Sequence, residues 1–279
     1  MKYIIEYVWV QNIKQCTLQS QQSIIDLPDV QDVPDEIDHE DHVANNNEIN
    51  NTTISRIPLL KKETFILKPS YVIKNPFTNH KSSYIVFCEL YDNNNKLNNN
   101  RLHCDLTLNK HYPGTYYFST AQKLLIDDPK FKVLKLDTES LSVGDYFSEH
   151  RTFMDRFLQM CLDLDIPLTT LFSKSLNQWT YQMSNLLGTE TGDIIWLTRY
   201  LLYRLSESYS FKIRFDVLSV SINNIDNHSK SNTDPYITLS VMISTIYKMK
   251  TLQEIESIKH SQKANVLQDQ LKLKTQIME

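Results

Sequence analysis

Four glycines in 279 residues is the feature that most narrows what this chain can build. Glycine supplies left-handed backbone and lets a main chain approach a ligand closely, and phosphate-cradling loops depend on both. A Gly-rich nucleotide loop is therefore not expected. The rest of the composition is that of a folding chain: 41% of residues are hydrophobic and 22% charged, an ordinary balance for globular proteins. The length predicts two domains with a core each. A net charge of −4 and an isoelectric point near 6.1 offer no basic footprint for phosphate, so nucleic acid is not an expected partner. No apolar run approaches the roughly 20 residues of a bilayer span. The N-terminus lacks the basic-then-apolar pattern of a leader, so the reading places the chain in the cytosol with no membrane partner. Cys16, Cys88, Cys104 and Cys161 show no C-x-x-C spacing and read as buried reduced thiols, not a disulfide framework or zinc site.

Residues 3–10 are rich in aromatic and β-branched side chains and predict a first strand, with a hairpin partner around 14–18. The acidic, then Asn-rich stretch 26–53 reads as a surface excursion. Strands are predicted at 63–74 and 84–91, across the turn formers Asn75-Pro76-Phe77-Thr78-Asn79, and another from Phe131 to Leu136. Phe153, Phe157, Cys161 and Leu164 recur at helical spacing until Pro167. Short strands near 168–172 and 178–183 precede a second helix opened by Asp193, with Ile194, Leu197, Leu201 and Leu205 on one side, then a strand at 211–215. From Asp234 to about Thr275 the chain reads as one or two helices, where Leu252, Ile255 and Leu271 form a thin stripe and Lys248, Lys250, Lys259, Lys263, Lys272 and Lys274 read as the solvated face. That tail is the best candidate for packing on a partner.

Three separated stretches carry a resemblance. Glu6-Tyr7-Val8-Trp9-Val10, and Phe65 to Pro69 through Asn75-Pro76-Phe77, resemble the N-terminal β-grasp unit of eukaryotic glutamine synthetases, fungal ones in particular. Ile85 to Asn95 resembles the strand and turn that follow. Gln178-Trp179-Thr180-Tyr181-Gln182 resembles the family's Gln-Trp-Glu-Phe-Gln, with Gly188, Gly192, Asp193, Trp196, Arg199, Tyr200 and Arg204 in step after it. Ser231-Asn232-Thr233-Asp234-Pro235-Tyr236 resembles the Ser-Asn-Ile-Asp-Pro-Tyr that begins the family's last helix. The resemblance implies an α+β fold: a β-grasp-like domain at 1–101 containing the loop 26–53, a reduced catalytic-like domain at 102–247 built on a curved antiparallel sheet with helices, and a helical tail at 248–279.

The family joins ammonia to a γ-glutamyl phosphate, using ATP and magnesium held by inward-pointing glutamates. Two of those glutamates correspond to Ser173 and Thr180 here. The family's Glu-x-Glu strand is absent or reduced to His103-Cys104-Asp105. Its long segment bearing a nucleotide-side histidine and the phosphate-clamping arginines does not fit between Asp216 and Ser231, which leaves His228 as a surface loop residue. No counterpart follows Leu27-Pro28 for the loop that reaches a neighbouring subunit's site.

Other candidates read more simply as solvated groups. The run Asp35 to His42 concentrates carboxylates with His39 and His42 but no framing element. Asp127/Asp128 and Asp163/Asp165 are paired carboxylates with no histidine or nucleophile at a defined spacing. Trp179 and Trp196 read as core. The sequence thus predicts a truncated, degenerate, catalytically inactive synthetase relative. No catalytic, metal or cofactor residue is expected, and Gln178, Trp179, Gln182, Gly192, Asp193, Trp196 and Arg199 form a vestigial motif. Its expected activity is protein binding, to an active synthetase or to itself; the alternative is residual ATP-dependent glutamate–ammonia or related ligase activity.

Overall fold

The computed structural model describes residues 2–12, 17–26, 57–92, 100–111, 117–129, 148–175, 177–222, 225–229 and 233–248. The first strand, β1 (Lys2–Asn12), pairs antiparallel with β2 (Thr17–Asp26) and parallel with β5 (Ser83–Asp92). β4 (Phe65–Lys74) and the short β3 (Leu60–Lys61) complete a mixed sheet of order β2-β1-β5-β4-β3. Helix α1 (Arg101–His111) leads to β6 (Tyr117–Asp127), and α2 (Ser148–Asp163) to the hairpin β7 (Leu168–Ser175) and β8 (Gln178–Leu187). Helix α3 (Glu190–Tyr209), β9 (Lys212–Ile222), β10 (Ile225–Ser229) and a helix α4 over 235–248 follow. The second sheet, β10-β9-β6-β8-β7, is antiparallel throughout.

The mixture of two sheets with helices is the expected α+β class, consistent with a glutamine synthetase-like fold. Period-two alternation sorts each strand. On β1, Tyr3, Ile5, Tyr7 and Trp9 join Leu67, Val72 and Val86 in one cluster, while Val8 faces the other way and joins Ile85, Phe87 and the helices in a larger one. Helix α3 runs between the two sheets, which is why its residues 191–202 are buried on every side instead of along one stripe. Phe87 meets Tyr200 edge-on at 5.9 Å from the first sheet, and Phe215 meets Tyr203 at 5.1 Å from the second. Each such buried apolar side chain contributes about 1.5–3 kcal/mol.

Scarce glycine has a visible consequence. Of the four described residues with left-handed φ, only Gly188 is a glycine; Asp165, Asn185 and Ser210 occupy the others. Ser210 ends α3 there, its N–H reaching the carbonyls of Glu207 and Ser206.

Several expectations change. The hairpin partner of β1 is Thr17–Asp26, not a stub around 14–18. His103, Cys104 and Asp105 lie on α1 and are no strand remnant. The central strand of the second sheet is β6, which the sequence reading missed. The expected strand Phe131–Leu136, most of the loop 26–53 and the tail beyond residue 248 lie outside the described residues.

Candidate functional site

Strand β8 carries the strongest motif. Its odd positions Trp179, Tyr181 and Met183 point into the core, and its even positions Gln178, Thr180 and Gln182 line the opposite, half-exposed face. Across the ladder Thr180 stands opposite Lys123 of β6 and Phe172 of β7, and Gln182 opposite Ala121 and Thr170. Thr170 donates from Oγ1 to Gln182 Oε1 at 2.5 Å. Ser173, half-buried where the β7/β8 register shifts, donates from Oγ to the Gln178 carbonyl at 2.6 Å. Thr180 thus stands among the amides of Gln178 and Gln182, the hydroxyl of Thr170, Phe172 and Lys123, whereas Ser173 pairs with Trp179 and lies on the opposite face of the sheet, so the two positions where the resemblance expects carboxylates do not converge on one face.

The other motif residues gather behind the sheet as packing. Arg199 is fully buried. It donates from Nε and Nη2 to Gln122 Oε1 (3.1 and 2.7 Å) and from Nη1 to the Thr233 carbonyl (2.9 Å), between the rings of Trp196 and Phe215. Gln122 donates in turn to the carbonyls of Lys123, Asp216 and Val217, filling the bulge where β6 meets β9. Asp193, in the first turn of α3, accepts three hydrogen bonds from Arg101 (Nε to Oδ1 at 2.9 Å and to Oδ2 at 3.3 Å, Nη2 to Oδ2 at 2.9 Å) and one from Tyr236 Oη (2.6 Å). Burial works against the Arg101 charge, but the hydrogen bonds and attraction of Asp193 more than offset it and raise its pKa. Gly192 lies under Tyr236, where a Cβ would come within 2.3 Å of the ring. Asp234 holds the start of α4, accepting from the Tyr236 N–H (2.9 Å) and from Asn100 Nδ2 (3.0 Å); burial raises its pKa.

A third cluster ties the first sheet to α3. Glu6, buried on β1, accepts from Tyr200 Oη at 2.5 Å and lies 3.7 Å from Arg204 Nε. Burial first, then the hydrogen bond to Glu6, pushes the Tyr200 phenol upward. A lone carboxylate in the middle of an apolar strand is the signal that would have pointed to this contact; nothing in the sequence points to Lys123 or Gln122.

The remaining candidates disperse. Asp127 pairs at the surface with Arg214 (2.7 Å). Asp128 is buried, contrary to the solvated reading, because α2 brings His150 to 3.5 Å from it against Phe211. Asp163 accepts from Gln159 (2.8 Å), and Asp165 occupies the left-handed turn after α2. His228 falls on β10 opposite Ser219 rather than in a loop. Trp179 and Trp196 are core. The run 35–42 and Cys16 lie outside the described residues; Cys88, Cys104 and Cys161 are free thiols. Among the described residues no three His, Cys, Asp or Glu side chains group as metal ligands, and no helix is long and apolar enough to cross a membrane.

No protein-family model matches the chain. It is 24% identical to the glutamine synthetase of Emericella nidulans over 162 residues, 54% of this chain and 45% of that protein. It is 25% identical to the glutamine synthetase of Schizosaccharomyces pombe over 232 residues, 77% and 59% of the two chains. A 66-residue stretch is 33% identical to the glutamine synthetase of Tuber borchii, covering 23% and 18%. The chain spans about half the length of the curated relatives it matches. These similarities, joined to an α+β fold in which the matching motifs are packed together, relate the chain to the glutamine synthetase family.

Proposed function

We propose that this chain is a non-catalytic relative of glutamine synthetase that acts by binding protein, as a regulatory or assembly partner of an active synthetase or through self-association. The observation that supports this reading is the donor set around Ser173 and Thr180. Magnesium takes hard oxygen ligands and, in nucleotide sites, at least one carboxylate. Here Ser173 Oγ is engaged with a backbone carbonyl, Thr180 is neutral, and Lys123 stands directly opposite it, where an ammonium opposes a dication. The residues present do not fit magnesium-ATP. The partner proposal draws on the relatives, which are named glutamine synthetases.

Two measurements test the proposal. Titration calorimetry with magnesium and ATP at millimolar concentration is expected to give no saturable heat; saturable binding, or γ-glutamyl transfer by the purified chain, would overturn the non-catalytic reading. Mixing with an active fungal synthetase is expected to give co-elution and an altered synthetase rate. Separate elution with an unchanged rate would sink the regulatory version.

A further inference from the structure

We propose that a small hydration site lies where the first sheet meets α3 and the start of α4. One ordered water there accepts a hydrogen bond from Trp196 Nε1 and donates to Ser70 Oγ and to the Asp234 carboxylate. The cavity measures about 30 Å³ and is walled by β1, β4 and β5, by Arg101 of α1, by Trp196 of α3, and by Asp234 and Tyr236 where α4 begins. A water needs about 10–15 Å³ of such space. The volume therefore admits a water and excludes a nucleotide or an amino acid.

The donors and acceptors on the wall select the occupant. Trp196 is 2% exposed, and its Nε1 has no hydrogen-bond partner among the described residues. A buried N–H in that state bears its full desolvation penalty, and native interiors ordinarily supply a protein or water partner. The neighbouring donors are engaged elsewhere: Trp9 Nε1 with Gln11, Cys88 Sγ with the Val86 carbonyl, Tyr236 Oη with Asp193, and Arg101 with Asp193 and Glu89. Acceptor capacity remains. Ser70 Oγ gives its hydrogen to the Phe87 carbonyl at 3.1 Å and keeps lone pairs to accept with. Asp234 accepts from Asn100 Nδ2 and from the N–H groups of Tyr236 and Ile237, three of the roughly four positions a carboxylate offers. A water that accepts one hydrogen bond and donates two completes this set, with the usual count of about three for a buried water. An apolar occupant would leave the indole N–H stranded.

Crystallography of the full chain, at a resolution that shows waters, tests this. The expected result is a single peak of density within about 2.7–3.2 Å of Trp196 Nε1, Ser70 Oγ and an Asp234 oxygen. Nuclear magnetic resonance gives a second reading in solution. The Trp196 indole N–H, identified by its loss in Trp196→Phe, is expected to show a nuclear Overhauser cross-peak to a long-lived water. Ser70→Ala removes one acceptor and is expected to weaken that cross-peak. A dry cavity, a protein acceptor on Trp196 Nε1, an occupant larger than water, or a cross-peak indifferent to Ser70→Ala would each overturn the proposal. The crystal structure requires no variant, so it decides the matter even if either substitution unfolds the chain.

Discussion

Replacing Asp193 by alanine removes the acceptor on which α1, α3 and α4 converge. The carboxylate is 3% exposed, and the Arg101 side chain that chelates it is 29% exposed. Breaking a buried ion pair from one side costs about 3–5 kcal/mol. Arg101 retains Glu89 at 3.6 Å and some access to water, which moves its share toward the low end. Tyr236 Oη is buried and loses its acceptor, adding about 1–3 kcal/mol. Since these losses overlap at one carboxylate, the expected total is about 3–4 kcal/mol. Asp193→Asn keeps an oxygen for Tyr236 and one for Arg101 but no charge, and should cost about 1–2 kcal/mol. Urea unfolding followed by tryptophan fluorescence and far-ultraviolet circular dichroism reads both variants. The two probes should move together, because one hydrophobic cluster spans both sheets. An alanine variant within about 0.5 kcal/mol of wild type, or an asparagine variant less stable than the alanine one, would refute the assignment of Asp193 as the junction of these helices.

Gly192→Ala sets two effects against each other: alanine favours helix by up to about 1 kcal/mol, while its Cβ collides with the Tyr236 ring. Overpacking against an anchored ring should win, leaving a net loss of about 1–3 kcal/mol in the same urea assay. Glu190 has its pKa raised by burial and then by the charge of Asp193. A raised carboxyl means the folded state holds its proton more tightly than the unfolded state, so stability is lost as pH rises from the unfolded value of 4.5. Glu190→Gln should accordingly be more stable than wild type at neutral pH, with the difference vanishing in acid, as paired unfolding curves across pH would read. Burial pushes the Cys104 and Cys161 thiols up to about 12, so thiol-reagent labelling mapped by mass spectrometry should leave both unmodified in the native chain and modify both in urea.

How much was legible from the sequence depended on what held each element. The aromatic and β-branched run of β1, and the 3–4 spacing of Phe153, Phe157 and Cys161, are local patterns created by burying one face, and both elements formed where expected. β6 escaped because polar Ser119, Thr120, Gln122 and Lys123 interrupt it. Its place in the centre of the sheet comes from pairing with β8 and β9, far away in sequence. Asp128 was misread for the same reason: its neighbour His150 arrives on another element. Trp179, Trp196 and the Gln-Trp motif were legible because large aromatics at fixed spacing have few places to go but the core.

The contrast between the two faces of β8 separates the positions that packing holds from those it leaves free. Trp179 and Tyr181 are held in a close-packed interior, as are Gly192 beneath Tyr236 and Arg199 between two rings; any change there is felt in stability, because such interiors relax only partly. Thr180 sits half-exposed on the other face, where exchanging one polar side chain for another opens no cavity. A glutamate at Thr180 is therefore expected to leave the fold intact, and so is the threonine present. Packing restrains one face of the strand and leaves the other to be set by ligand binding alone. The motifs that relate this chain to the synthetases are thus the ones its fold requires, and they carry no information about whether a metal is held on the opposite face.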